Sequence, residues 1–256
     1  MKLRFKKSPD EILKEIGIFT PEDIDLELVA YSLGAEVRFD PLDDCEGNII
    51  GTHERAIITI NSKSKPERRR FSLGHEIGHW VNDRGQNLTY RCTDLDLKEK
   101  APKEGDFRQH KEIRANRFSA ELLQPAFIVK DLIKKMPVTV STAEFLANSF
   151  HVSVTTSLIR LSELSDAPHM LCCWSSNGDR LRFSRSANIP EFIWPIQKVL
   201  KSSQLQSFDG EVDGDKWLEF AGAEEHTVWE STFFNGFQWY TLLWWRDEKL
   251  LFQLST

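Results

Sequence analysis

The run Arg68-Arg69-Arg70-Phe71-Ser72-Leu73-Gly74-His75-Glu76-Ile77-Gly78-His79-Trp80 holds a His-Glu-x-x-His pattern inside a stretch that reads as helix. Four residues advance a helix by about 400°, so His75 and His79 project from one face, one turn apart. Two imidazoles so placed can bind a single Zn²⁺ at ~2.0–2.1 Å. Glu76, adjacent to His75, can then act as general base toward water at the metal. Gly74 and Gly78 each cost a helix about 1 kcal/mol relative to Ala, a cost that is tolerable where the backbone must approach a neighbour closely. Leu73, Ile77, Trp80 and Val81 form a separate apolar face, which leaves the histidines free of core duty.

A catalytic zinc needs a third protein ligand and one open position. A third histidine at His-x-x-Gly-x-x-His spacing is excluded, because Asn82 stands where the glycine belongs and Gly85 where the histidine belongs. A ligand from a second helix is the other common solution, and the segment Lys111 to Pro125 fits that role. There Glu112, Ala115, Asn116 and Ser119 share one face: a carboxylate followed by small residues that let another helix pack close. On spacing alone Glu121 and Glu104 compete with Glu112. Tyr90, His110 and Arg114 are the candidates for a donor to the oxyanion, and no spacing selects among them. Cys92 falls between the two ligand-bearing helices, where a thiolate could occupy the open zinc position and hold an enzyme off.

These residues require particular elements around them. Residues 23–33 have apolar groups at helical spacing, stopped by Gly34, and Ala35 to Phe39 reads as a short strand. Asn48 to Gly51 and Ala56 to Ile60 read as a hairpin around Thr52-His53-Glu54. Ser64-Lys65-Pro66-Glu67 opens a helix, with Ser64 at the cap, that runs to about Asp83. Arg84 to Phe107 reads as loop, and helices follow at about 108–124, 126–136, 141–149 and 153–164. The last pair, with Val152-Ser153 opening its second helix, has the outline of a helix-turn-helix, although such pairs more often complete a core. Beyond it, Met170 to Ser175 and Arg180 to Ser184 form a hairpin about Asn177-Gly178. Pro190 to Ser202 reads as an amphipathic helix, and residues 216–254 are aromatic and strand-like, ending in Thr241 to Trp245 and Lys249 to Leu254.

The chain has 256 residues, 40% hydrophobic and 28% charged, with a net charge of -6. No run approaches the ~18 consecutive apolar residues of a membrane span, and Met1 to Lys7 has no apolar stretch behind it, so neither a membrane partner nor a secretory signal is expected. Four cysteines fit a reducing cytoplasm better than a disulfide scaffold. A composition shift near Ser165-Asp166-Ala167-Pro168 marks two domains, 1–165 and 166–256. The first has a net charge of -1 and the second -5, and the second holds seven of the eight tryptophans. Residues 55–70 run against this acidity with a local net of +5, and Arg68, Arg69 and Arg70 make a candidate nucleic-acid patch beside the zinc helix. Overall acidity therefore excludes a broad nucleic-acid face but leaves room for a local one.

Two motifs together resemble a known family. Arg70-Phe71-Ser72-Leu73-Gly74-His75-Glu76-Ile77-Gly78-His79, followed by Glu112-x-x-Ala115-Asn116-x-Phe118-x-Ala120-x-Leu122-Leu123-x-Pro125, is similar to the ImmA/IrrE metallopeptidases in order and spacing over residues 20–165. Most members have Ala at the Gly74 position and Met at the Gln124 position, and neither change touches a ligand. The resemblance implies an α+β chain: a zincin-like metallopeptidase domain with a helical extension, then a smaller sheet-plus-helix, sensor-like domain. It implies that Glu112 completes a site for one Zn²⁺ per chain with His75 and His79. It also implies a zinc endopeptidase whose substrate is a helix-turn-helix transcriptional repressor, cut to release stress-response genes. In architecture the aromatic second domain resembles the sensor-like domains of members tied to DNA damage and looks most similar to that of members tied to antiphage CBASS operons, which implies antiviral defence and single-stranded DNA as activator. Two other readings compete: a non-proteolytic protein that uses a structural zinc to sequester a repressor or DNA, and a toxin–antitoxin partner.

Overall fold

A computed structural model describes residues 6–84, 88–92, 107–199 and 205–246, with backbone alone for 88–92 and 107–108. Packing divides the chain into two units. The first runs to Ile128 and includes Ser149–Val152; the second comprises Val129–Asn148 and the residues from Ser153 onward. The compositional shift at 165 therefore falls within the second unit, because the helices before it pack with the C-terminal sheet.

The first unit opens with α1 (Pro9–Glu15), where Ser8 and Glu11 form a reciprocal capping box. A 3-10 turn at Pro21–Asp23 precedes α2 (Leu26–Ser32), whose first turn is held by Asp25 accepting from the Glu27 and Leu28 amides. The helix expected over 23–33 thus starts at Leu26. β1 (Ala35–Asp40), β2 (Gly47–Gly51) and β3 (Ala56–Asn61) follow, then α3 (Pro66–Asp83), β4 (Leu88–Cys92) and α4 (Phe107–Leu123). The sheet order is β1-β3-β2-β4, with β1 parallel to β3 and the other pairs antiparallel. Ile49, Ile58 and Ile60 alternate onto the inner face, and Ile77 and Trp80 of α3 are buried in the same core. The Trp80 indole N–H donates to the Leu33 carbonyl at 2.8 Å, so the buried ring carries no unpaired donor.

Two local expectations change. α3 begins at Pro66 with Lys65 at its cap, while the Ser64 hydroxyl bonds Glu46 at 2.6 Å instead of capping the helix. Leu88 to Cys92, expected as loop, forms strand β4 beside β2. Five residues of mixed polarity are too short for a reliable periodicity, and the pairing partner decides the outcome. Residues 93–106 lie outside the described part of the chain, and so does Glu104.

In the second unit α5 (Ala126–Ile133, which the division crosses), α6 (Val140–Phe150) and α7 (Val154–Leu164) lead into β5 (His169–Trp174) and β6 (Arg180–Arg185). Ser153 caps α7 by accepting from the Thr156 amide. β7 (Trp194–Pro195), β8 (Phe208–Asp213), β9 (Leu218–Glu219), β10 (Thr227–Phe234) and β11 (Trp239–Trp244) complete the unit. Five of these strands make an antiparallel sheet in the order β6-β5-β11-β10-β8. The expected hairpin of β5 and β6 is present, with Gly178 at φ +81° in its turn. Trp174, Trp217 and Trp245 fill the core with Met170, Cys172 and Leu243, whereas Trp194 is half exposed. Burial pushes the Cys172 thiol up to about 12, as suits a packing residue.

The helix expected over Pro190–Ser202 is absent among the described residues, which run through 199. Pro195 lacks an amide and turns Trp194 away from helical geometry, so two residues pair with β9 instead. Arg185 donates to the carbonyls of Pro190, Glu191 and Ile193, and Arg180 to those of Pro195 and Ile196. The apolar spacing that suggested a helix still buries Ile193 and Val199, but from an irregular chain. The strand expected over Lys249–Leu254 lies outside the described residues. Among those described, no helix is long and apolar enough to cross a membrane.

Candidate active site

α3 and α4 cross closely because the contact residues are small. A Cβ on Gly78 would stand 3.2 Å from the Ala115 Cα and 3.1 Å from the Phe118 Cβ. One on Gly74 would stand 2.5 Å from the Ser119 Oγ, which itself donates to the Phe71 carbonyl at 2.8 Å. The crossing brings His75 and His79 of α3 to Glu112 of α4. Their Nε2 atoms are 3.0 Å apart, and Glu112 Oε2 lies 3.1 Å from His75 Nε2 and 3.3 Å from His79 Nε2. All three side chains are buried. Ligand atoms of a tetrahedral zinc site with bonds of ~2.0–2.1 Å stand about 3.3 Å apart, so this triangle fits a metal of that size.

The outer nitrogens fix the inner ones. His75 Nδ1 is 2.9 Å from the Asn116 Oδ1, and His79 Nδ1 is 3.2 Å from the Asp83 Oδ2. Each of these oxygens draws the proton to Nδ1 and leaves a lone pair on Nε2, facing the centre of the triangle. Asp83 is braced in turn: its Oδ1 accepts from Arg114 Nη2 at 2.6 Å, with Lys111 Nζ at 3.7 Å. Glu76 is fully buried, and a Cβ on Gly47 of β2 would come within 3.1 Å of its Oε1. The bare backbone of that strand is what makes room for the Glu76 carboxylate.

The charges respond to this crowding. Burial alone would raise the Glu112 carboxyl, yet bonds to His75 and His79 hold it down at about 2. Burial disfavours a charged His79, but Asp83 and Glu112, helped by the Glu76 charge, push it up to about 9. His75 goes the other way, lowered chiefly by burial and by the neighbouring His79, with Glu112 and Asn116 opposing. Asp83, despite burial, is held low by His79 and Arg114. Without a metal, the proton of the pair therefore resides on His79.

The profile of the IrrE N-terminal-like domain, Peptidase_M78, matches residues 30–162, more than half of the chain. The chain belongs to that family. It is 32% identical over 149 residues to the radiation response metalloprotease IrrE of Deinococcus deserti, covering 57% of this chain and 50% of that protein. The protein of the same name from Deinococcus radiodurans is 29% identical over 141 residues, 55% of this chain and 40% of that one. The chain thus spans about half the length of the curated relatives it matches. A Mycobacterium tuberculosis transcriptional regulator has a similar fold, with a TM-score of 0.55 at 15% identity over 92% of this chain and 85% of that one.

Within this IrrE-type domain the remaining candidates are dispersed. Glu121 pairs with Arg117 at 2.8 Å and takes no part in the histidine cluster. Arg114, a candidate oxyanion donor, binds Asp83 behind His79. His110 is half-buried near the start of α4, and the Tyr90 and Cys92 side chains lie outside the described atoms. The backbone of Cys92 is paired with Gly47, the residue that makes room for Glu76. In the basic run Arg68 approaches Glu46 at 3.8 Å, while Arg69, over the Phe39 ring, and Arg70, 3.4 Å from the Ile24 carbonyl, line one pocket. Sequence reasoning missed the roles of Asp83 and Asn116. The signal was present, because Asp83 lies four residues after His79, and Asn116 four after Glu112, on the same helix faces.

Proposed function

We propose that this chain is a zinc-dependent endopeptidase that cuts a helix-turn-helix repressor. The observation that carries the reading is the triangle of His75 Nε2, His79 Nε2 and Glu112 Oε2, with the Glu76 carboxylate beside it. His75, His79 and Glu112 would hold one Zn²⁺ in a zincin-like domain. Zinc in such a site supplies Lewis acidity, polarising a carbonyl and acidifying water. Glu76 takes a proton from the attacking water on its carboxylate and delivers it to the leaving amine. Asn116 and Asp83 keep the two imidazoles turned so that Nε2 faces the centre. β4 is the edge of its sheet among the described residues, and an extended substrate segment can add along it.

The substrate class and antiphage defence follow from the ImmA/IrrE resemblance, and the relatives' name, radiation response metalloprotease, supports a role in stress response. The C-terminal sheet is read as a sensor whose activator is single-stranded DNA. The half-exposed Trp194, held edge-on to Phe183 with the Arg185 guanidinium over its ring, offers an aromatic and cationic surface for bases. A cytoplasmic setting agrees with the buried free thiols of Cys45, Cys172 and Cys173.

Glu76 separates an enzyme from a sequestering protein, because a structural metal has no use for a general base. Purified protein, zinc and the cognate repressor should yield cleavage, with and without single-stranded DNA compared. Glu76→Gln should bind zinc as before yet cut at least about 100-fold more slowly. Cleavage at the wild-type rate would rule out the hydrolytic role. Cys92 is read as an inhibitory ligand from its position in the sequence between the two ligand-bearing helices and the affinity of zinc for thiolate, so Cys92→Ala should raise basal cleavage. Unchanged basal activity would remove that assignment.

A further inference from the structure

The two histidines are backed by different chemistry. Behind His75 stands a neutral amide, Asn116, whereas behind His79 stands a carboxylate, Asp83, which is itself held by a guanidinium. Arg114 is thus third in a line running from α4 through Asp83 of α3 to His79. It lies two residues from Glu112 on the same helix, so α4 supplies one ligand and also braces another. Asp83 is buried and has a second cation, Lys111, 3.7 Å from the same Oδ1. Deprived of the short bond to Arg114, the carboxylate could turn toward that lysine and leave His79.

We infer that Arg114 is a positioning residue for the metal site, acting only through Asp83 to orient His79 and raise the site's affinity for zinc. The inference rests on the zinc reading of the site. It makes a prediction opposite in sign to simple electrostatics. Arg114 is a cation close to a site for a dication, so by Coulomb repulsion alone its removal should tighten zinc binding. As a positioning residue its removal should weaken binding, because a ligand whose outer partner is lost typically costs 10- to 100-fold in affinity.

The experiment measures zinc affinity by chelator competition on the full chain, alongside thermal melting of the metal-free protein. Arg114→Gln should weaken zinc about tenfold with little change in metal-free melting, and Arg114→Lys should recover part of the loss. Asp83→Asn should weaken zinc at least as much as Arg114→Gln. In an Asp83→Ala background, Arg114→Gln should add less than about twofold, since the path through the carboxylate is already broken. Equal or tighter binding by Arg114→Gln would overturn the inference, as would a full tenfold loss in the Asp83→Ala background. A wild-type chain that binds no zinc would instead overturn the reading of the site itself. Should Arg114→Gln melt much earlier without metal, the Arg114→Lys variant decides: unimproved affinity at restored melting refutes the line.

Discussion

Two of the buried glutamates, Glu230 in the second unit and Glu112 in the first, are met by their neighbours in opposite ways. Glu230, in the C-terminal sheet, is surrounded by donors. Its Oε2 accepts from the Trp217 indole and from Lys216, both at 2.6 Å, and its Oε1 from the Thr232 hydroxyl at 2.9 Å. The chain continues through Thr241, which accepts from the Trp174 indole at 3.1 Å. Both carboxylate oxygens thus have donors within hydrogen-bond distance, and the network needs no further ligand. Glu112 has one donor to share: Asn116 and Asp83 fix the outer nitrogens of both rings, so without a metal only the proton on His79 lies among three ligand atoms within 3.3 Å of one another. That arrangement is stable only around a cation, whether a proton or a metal. A buried carboxylate met by donors marks architecture, and one met by lone pairs marks a binding site.

The largest test of this contrast removes each carboxylate. Glu230→Ala should cost about 3 kcal/mol of stability, with or without zinc, because it strands the Trp217 indole and the Thr232 hydroxyl in the core and removes the partner of the half-buried Lys216. Its zinc affinity should match wild type. Glu112→Gln should lose zinc by more than about 100-fold, so that added zinc no longer raises the melting temperature. Calorimetric melts of both variants with and without zinc would expose the alternative, in which both changes destabilise alike and zinc is irrelevant.

Acidity gives a finer test. With His79 held protonated up to about 9, zinc must displace a proton at neutral pH, and affinity should rise about tenfold per pH unit from 7 to 9, then level off. The stability signs of the metal-free protein follow from the same shifts. The His79 contribution is full below its ordinary value of 6.5 and is lost as pH rises through about 9. The Glu112 contribution is present above its ordinary value of 4.5 and is lost as pH falls through about 2. A flat zinc affinity between pH 7 and 9 would show that no proton is held in the triangle.

How much of this was legible in the sequence depended on whether a single helix carried the information. His75, Glu76 and His79 are local to one helix, so their geometry followed from the rise and turn of α3 alone. Glu112 could be put only among three carboxylates by spacing, because which one meets the histidines depends on how α4 crosses α3. Ala115 and Ser119 opposite the two glycines were the readable trace of that crossing. Asn116 reads in sequence only as a small packing residue and Asp83 as a solvated one, because a polar residue one turn beyond a ligand shows its role only once its partner is known. The 190–202 segment failed for the opposite reason: its apolar spacing was real, but Pro195 and the carbonyl-binding Arg180 and Arg185 favoured an irregular chain. β4 is short, and its strand form is owed to β2.

The smallest expected effect concerns the crossing itself. A methyl on Gly74 gains about 1 kcal/mol of helix propensity but meets the Ser119 Oγ at 2.5 Å and displaces its bond to the Phe71 carbonyl. The lost bond is worth about 1 kcal/mol and the crowding costs more, so Gly74→Ala alone should destabilise the metal-free protein by about 1 kcal/mol. Ser119→Ala alone removes the bond without adding bulk and should cost slightly less. Made together, the two changes remove the clash and keep the propensity, so the double variant should be near wild type, with a coupling of about 1–2 kcal/mol. Additive losses in a melting cycle would mean that the helices can separate slightly to admit the methyl. In that case zinc affinity should fall in Gly74→Ala, since a wider crossing carries Glu112 away from the histidines.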